Sequence, residues 1–186
     1  MLERSKVLGW IRLAAVYVFI AWLVIASRPT PALVAAGATI ALVGEAVRLW
    51  AAGHLVKSTR LITSGPYAYT QNPLYLGRLL ILTGLGIAAR TEGYLNLAAL
   101  AAGYAVFFLY YLPRKERVEG RRLLLRHGAI YEDYRAAVPA LVPGRRRFAG
   151  PRVSWSLELV VRSGEPLLLA GLVVLFGLLA MKVAAR

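Results

Sequence analysis

Five stretches of this 186-residue chain, at 9–26, 32–51, 74–89, 94–112 and 166–183, are apolar over the length that crosses a bilayer as a helix, about 17–25 residues, or fall slightly short of it. Backbone polar groups in lipid must be satisfied within the segment, which makes each stretch a helix. The expected fold is therefore all-α: a polytopic membrane helix bundle of about five transmembrane helices, one integral membrane domain over residues 1–186. Hydrophobic residues make up 59% of the chain, too many for an ordinary soluble globule. The 74–89 stretch is the shortest, and either its capped start extends it or it ends inside the bilayer against protein. Arg12 interrupts the first stretch, no convincing small-residue cleavage site follows it, and a second apolar segment comes at once, so it reads as a retained helix rather than a signal peptide.

Charge sets the expected orientation. Of 23 Lys and Arg residues, 12 lie between Arg114 and Arg162, whereas the links after the first and third stretches carry one each, Arg28 and Arg90. The positive-inside rule then places the N-terminus, the 52–73 connection and the 113–165 region in the cytoplasm, in a multi-pass protein of a prokaryotic inner membrane. The net charge of +14 flanks membrane segments and comes with no nucleic-acid motif, so the bilayer and its anionic lipids are the expected partners, not nucleic acid. Cysteine is absent and the two histidines, His54 and His127, stand far apart, so no metal site is expected.

One stretch, Gly65 to Gly86, joins a turn, a helix start and an apolar helix. Gly65-Pro66 is turn punctuation, and Tyr67, Tyr69 and Tyr75 crowd the residues after it. Asn72-Pro73 reads as an N-cap followed by a first-turn proline, which would aim free backbone N–H groups into the Tyr-rich turn and favour a carboxylate or phosphate there. Gly77 and Gly84, two turns apart on one face, allow another helix or a ligand to approach the backbone closely. In the preceding helix Glu45 and Arg48 are i, i+3 neighbours and are expected to pair with each other. Pro113 is expected to end the fourth helix, after which residues 113–145 form two amphipathic helices hinged at Gly128, followed by a basic interfacial segment over 145–165 with Trp155 and Leu157 at headgroup level.

The pattern G-P-Y-x-Y-x-x-N-P-x-Y-L-G from Gly65 to Gly77, with Gly84-x-Gly86 downstream, resembles the isoprenylcysteine carboxyl methyltransferase and phospholipid methyltransferase family of integral membrane enzymes. Glu119, Leu123, Gly128, Tyr131, Tyr134, Val138 and Pro139 match that family's second motif. Three departures stand out: Gln71-Asn72-Pro73 occupies the place of Arg-His-Pro, Gly120 that of a second glutamate, and His127 that of a phenylalanine. The resemblance implies S-adenosylmethionine as cofactor and S-adenosylhomocysteine as product. Gly65, Pro66, Tyr67, Tyr69, Asn72, Pro73, Tyr75, Leu76, Gly84, Gly86, Glu119, Tyr131 and Tyr134 would hold the cofactor, and the cytoplasmic helical segment would close over it. It also implies methyl transfer to a lipid, prenylated or other apolar acceptor arriving laterally from the bilayer, with Glu119, Lys115 and Arg117 beside the reacting groups. Two other readings stay open: an NADPH-dependent membrane reductase of sterol or enone lipids, and a non-catalytic lipid-binding scaffold.

Overall fold

A computed structural model describes residues 18, 20–56 and 61–185. Residues 18 and 20–26 are helical; the 9–17 part of the expected first helix lies outside the described residues. Seven α-helices follow: α1 (Pro31–Ala52), α2 (Pro73–Ala88), α3 (Leu95–Val106), α4 (Leu112–His127), α5 (Ala129–Ala137), α6 (Leu157–Ser163) and α7 (Glu165–Ala184). Among the described residues the architecture is all-helical, with no strand. Among the described residues three helical runs are long and apolar enough to cross a membrane: Pro31–Ala52, Glu92–His127 and Glu165–Ala184; α2 is apolar but shorter.

Local chemistry explains the helix ends. Thr30 caps α1 by accepting the Leu33 N–H at 3.4 Å, and Pro31 opens the helix with a nitrogen that has no hydrogen to leave unpaired. Gly128 separates α4 from α5 at φ +54°, a conformation that costs glycine little. Pro113 does not end the helix as expected. Phe107–Tyr111 forms a wide π turn in which the Leu112 N–H reaches the Phe107 carbonyl, so the chain passes through the proline and continues into α4. A proline normally clashes with the carbonyl four residues back, and the wider turn just ahead of it accommodates that clash. The membrane run and the basic segment are therefore one continuous rod from Leu95 to His127.

Glycine builds the central helix pair. A Cβ at Gly37 would strike the Gly84 carbonyl, and one at Gly44 would strike that of Gly77, so α1 and α2 meet backbone to backbone. Gly77 also makes room for the Arg48 stem. Arg48 pairs most closely with α7 and only loosely with Glu45: its Nε and Nη2 donate to Glu165 at 2.9 and 2.7 Å, and Nη1 donates to the Leu74 carbonyl at 3.2 Å. Glu45 stays 3.9 Å from Arg48 Nε, fully buried, and neither of its oxygens accepts a hydrogen bond among the described residues. On the other side of α2, Asn96 of α3 donates to the Gly86 carbonyl at 2.6 Å and ties down Thr91.

The chain after α5 folds back as a strap over the Gly65 turn. Gly144 N–H bonds the Tyr69 carbonyl at 2.7 Å, Phe148 N–H the Ala68 carbonyl at 3.0 Å, and Val153 N–H the Ser64 hydroxyl at 3.1 Å. Trp155 then donates its indole N–H to the Leu49 carbonyl at 3.2 Å, anchoring the strap at the end of α1.

Candidate functional site

A cavity of about 310 Å³ opens where the connection after α1, the Gly65 turn, α4 and α5 meet. Its floor is apolar and buried: Ile62 and Tyr67 pack with Ala51, while Tyr131 and Tyr134 pack with Val138. The Tyr134 hydroxyl donates to the Tyr67 carbonyl at 2.8 Å, joining the two clusters. Burial pushes the hydroxyls of Tyr67 and Tyr134 well above the usual phenol range, with Glu119 and Glu165 adding at Tyr67 and the Tyr67 and Tyr131 hydroxyls at Tyr134. Tyr131 shifts upward for the same first reason, against the pull of Arg135. All three remain neutral hydroxyls at physiological pH.

The polar wall comes from α4. Lys115, Glu119, Arg122 and Arg126 recur every three or four residues, so one face of the rod presents a carboxylate among cations to the cavity. Lys115 Nζ lies 3.1 Å from Glu119 and also donates to the Asn72 side-chain oxygen. Glu119 is half-exposed, so this pair contributes little to stability and can open to meet a ligand. Glycine at 120 fits the space: a Cβ there would lie 3.1 Å from the Tyr131 hydroxyl.

Of the residues singled out by sequence, Tyr67, Asn72, Lys115, Glu119, Tyr131 and Tyr134 line this cavity together. Asn72 holds the N-cap position of α2 as expected, but its side chain makes no capping bond. Its amide donates to the Ala140 carbonyl at 2.7 Å and its oxygen takes Lys115, so the side chain ties the strap to α4. Pro73 is buried at the helix start and Leu76 is half-buried beyond it, neither on the cavity. Gly65 and Tyr69 face a different pocket on the far side of the turn, and Pro66 is buried between them. Gly84 is filled by α1 and Gly86 by Leu100 and Asn96 of α3, so both glycines serve helix contacts. Tyr75 turns toward the π turn after α3, its hydroxyl 2.9 Å from that of Tyr111, and lines an apolar groove of about 630 Å³ between α2 and α3. Arg117 is exposed and off the cavity.

Gln71, Glu116, Arg122, Arg126 and His127 line the cavity without having been singled out. The signal for Arg122 and Arg126 is their spacing from Lys115 and Glu119, legible once 112–127 is read as one helix, whereas Glu116 and His127 lie off that face. Gln71 carries no such signal; its amide donates to the Val138 carbonyl at 2.6 Å, a contact made only by the strap. Among the described residues no three His, Cys, Asp or Glu side chains gather as a metal site would require.

The chain is 38% identical over 109 residues to a nickel-cobalt-cadmium resistance protein, NccN, of Alcaligenes xylosoxydans xylosoxydans, covering 58% of this chain and 46% of that protein. It is 33% identical over 124 residues to a cobalt-zinc-cadmium resistance protein, CzcN, of Cupriavidus metallidurans, covering 66% and 52%. The chain thus spans about half the length of the curated relatives it matches. No family model and no solved structure matches it.

These relatives overturn the expected membership among the isoprenylcysteine carboxyl methyltransferases and, with it, the expected methyltransferase activity: both are named for metal resistance and neither for methyl transfer. The reductase and lipid-scaffold alternatives gain nothing from those names. The motif residues have structural work that accounts for their pattern. Gly65, at φ +59°, lies against the His54 ring; the Tyr67 carbonyl receives Tyr134; and Asn72, in the histidine's place, is engaged by Ala140 and Lys115.

Proposed function

We propose that this chain is a membrane-embedded component of resistance to divalent transition-metal ions of the nickel, cobalt, zinc and cadmium group, working through the cavity between the Gly65 turn and α4. The observation that carries the first half is its likeness to two resistance proteins over 58% and 66% of its length. The metal is what the resistance acts against, and no metal-binding step is assigned to the cavity, whose donor set does not suit one.

The cavity's chemistry suits a small polar organic ligand with charges of both signs. Lys115 and Arg122 meet an anionic group, Glu119 meets an ammonium, and the Tyr67 and Tyr131 rings cover an apolar body. S-adenosylmethionine belongs to that class and is proposed as a ligand only, with no transfer reaction attached. The charge asymmetry supports a cytoplasmic N-terminus and 113–145 segment, with anionic lipids beside the basic strap.

The test is deletion of the gene in its source organism and re-expression of the full chain, scored as the concentration of each metal salt that halves growth. Deletion should lower that concentration for at least one of the four metals, and the full chain should restore it. Unchanged tolerance to all four would end the proposal.

A further inference from the structure

A second pocket, of about 320 Å³, lies on the opposite side of the Gly65 turn and plays no part in the cavity. It is lined by Trp50, His54, Ser64, Tyr69, Arg147 and Arg152, together with Gly65 and Val153, and no carboxylate is among them. The two arginines stand five residues apart on the strap. Around them the strap is pinned to the turn by Phe148 N–H on the Ala68 carbonyl, Val153 N–H on Ser64 and the Thr63 hydroxyl on the Pro151 carbonyl at 3.4 Å. Gly150 lets it lie flat, since a Cβ there would strike Thr63. Arg147 and Arg152, both exposed, thereby line one hollow from a strap whose backbone is fixed. Neither has a carboxylate partner among the described residues, where the ion pairs are Arg28–Glu92, Arg48 with Glu45 and Glu165, Lys115–Glu119 and Arg162–Glu158.

The rest of the lining adds no negative charge. His54 is buried and donates Nδ1–H to the Trp50 carbonyl at 2.9 Å, leaving Nε2 as the ring's remaining polar atom. Two guanidinium forks with no opposing acid match the oxygens of a phosphate ester. The position supplies the depth: α1 ends two residues beyond Trp50, and Trp50 and Trp155, both about half-exposed, flank the end of this span as tryptophans do at headgroup level.

We propose that this pocket is a phosphate-binding site that takes the headgroup phosphate of an anionic membrane phospholipid. The site is separate from the cavity and does not depend on the metal-resistance reading. A soluble phosphate ion has the same chemistry, and the experiment distinguishes the two sources.

The full chain, purified in detergent, is titrated with phosphatidylglycerol, with phosphatidylcholine and with inorganic phosphate, and bound ligand is counted by native mass spectrometry. Three forms are compared: wild type, Arg147→Gln/Arg152→Gln, and Arg145→Gln/Arg146→Gln, which removes the same charge from strap positions outside the pocket. Circular dichroism confirms that each is folded. Phosphatidylglycerol should bind wild type in preference to phosphatidylcholine. The 147/152 pair should weaken it by about tenfold, the scale of losing charge-assisted contacts to one anion, while the 145/146 pair changes it less than about threefold. Equal loss in both variants, or loss in neither, would overturn the pocket. Displacement of the lipid by millimolar inorganic phosphate, bound in the same 147/152-dependent way, would overturn the lipid as its occupant.

Discussion

Replacing Glu165 with Gln tests the interior of the bundle most sharply. Arg48 and Glu165 are both more than nine-tenths buried and share two charge-assisted hydrogen bonds, at 2.9 and 2.7 Å, across 117 residues of sequence. Removing one partner of a buried pair costs about 3–5 kcal/mol when the other charge is left alone. Here it is not left alone. Glu45 remains 3.9 Å from Arg48 Nε, an attraction of about 4 kcal/mol at an effective dielectric constant of about 20. Glu165→Gln should therefore cost about 2–3 kcal/mol, below that range, because Glu45 remains and the amide oxygen keeps one weaker bond. Glu45→Gln should cost less than about 1 kcal/mol, since it removes a buried carboxylate that accepts no hydrogen bond among the described residues. The double variant should cost about 3–5 kcal/mol, more than the two singles together, because nothing then compensates Arg48. Reversible unfolding in mixed micelles measures all three. A Glu45→Gln cost equal to or above that of Glu165→Gln would refute the pairing and restore the i, i+3 pair that the sequence suggests.

Three further outcomes follow from the geometry. Gly84→Val should separate α1 from α2, because its side chain meets the Gly37 carbonyl and Ala41; a loss of about 1–3 kcal/mol or more should appear in the same unfolding assay, whereas Gly171→Val, with open space around it, should be nearly neutral. Tyr134→Phe should cost about 0.5–1.5 kcal/mol by deleting the bond to the Tyr67 carbonyl, with the cavity floor loosened as seen by faster amide exchange at Tyr67. Alkaline pH should act through Tyr67 and Tyr134. Their folded-state values lie above the unfolded one of about 10, so the stability they contribute is fully present below about pH 10 and is lost as pH rises past it toward the folded values. Tyrosinate absorbance should show exposed tyrosines ionising first, and simultaneous ionisation of all of them in the folded protein would contradict the burial.

The membrane character of the chain was legible because an apolar run of bilayer length has few alternatives, and Thr30-Pro31 and the start of α2 at Pro73 announced their helices by side-chain and backbone chemistry confined to neighbouring residues. What sequence hid was tertiary. Glu165 lies 117 residues from Arg48, and no local spacing could favour it over Glu45. Pro113 looked like a terminus because the π turn that admits it depends on five aromatic and aliphatic residues before it, not on the proline. Asn72 had the residue type and position of a cap, yet the strap offered its amide the Ala140 carbonyl instead. The motif shared with the methyltransferases consists largely of Gly, Pro and Tyr positions that shape the turn and lock it to α5. A pattern of that kind reports how a turn is built, and it does not by itself carry a reaction.

The cavity's part in metal resistance is tested most directly by restoring the deleted gene with Lys115→Gln/Arg122→Gln, which alters two cations on the cavity wall, beside Arg114→Gln/Arg117→Gln, which removes the same charge from exposed positions of the same rod outside the cavity. With both proteins present in the membrane at equal level, the 115/122 variant should fail to restore metal tolerance and the 114/117 variant should restore it as wild type does. Full restoration by both, or equal failure of both, would contradict a working site in the cavity.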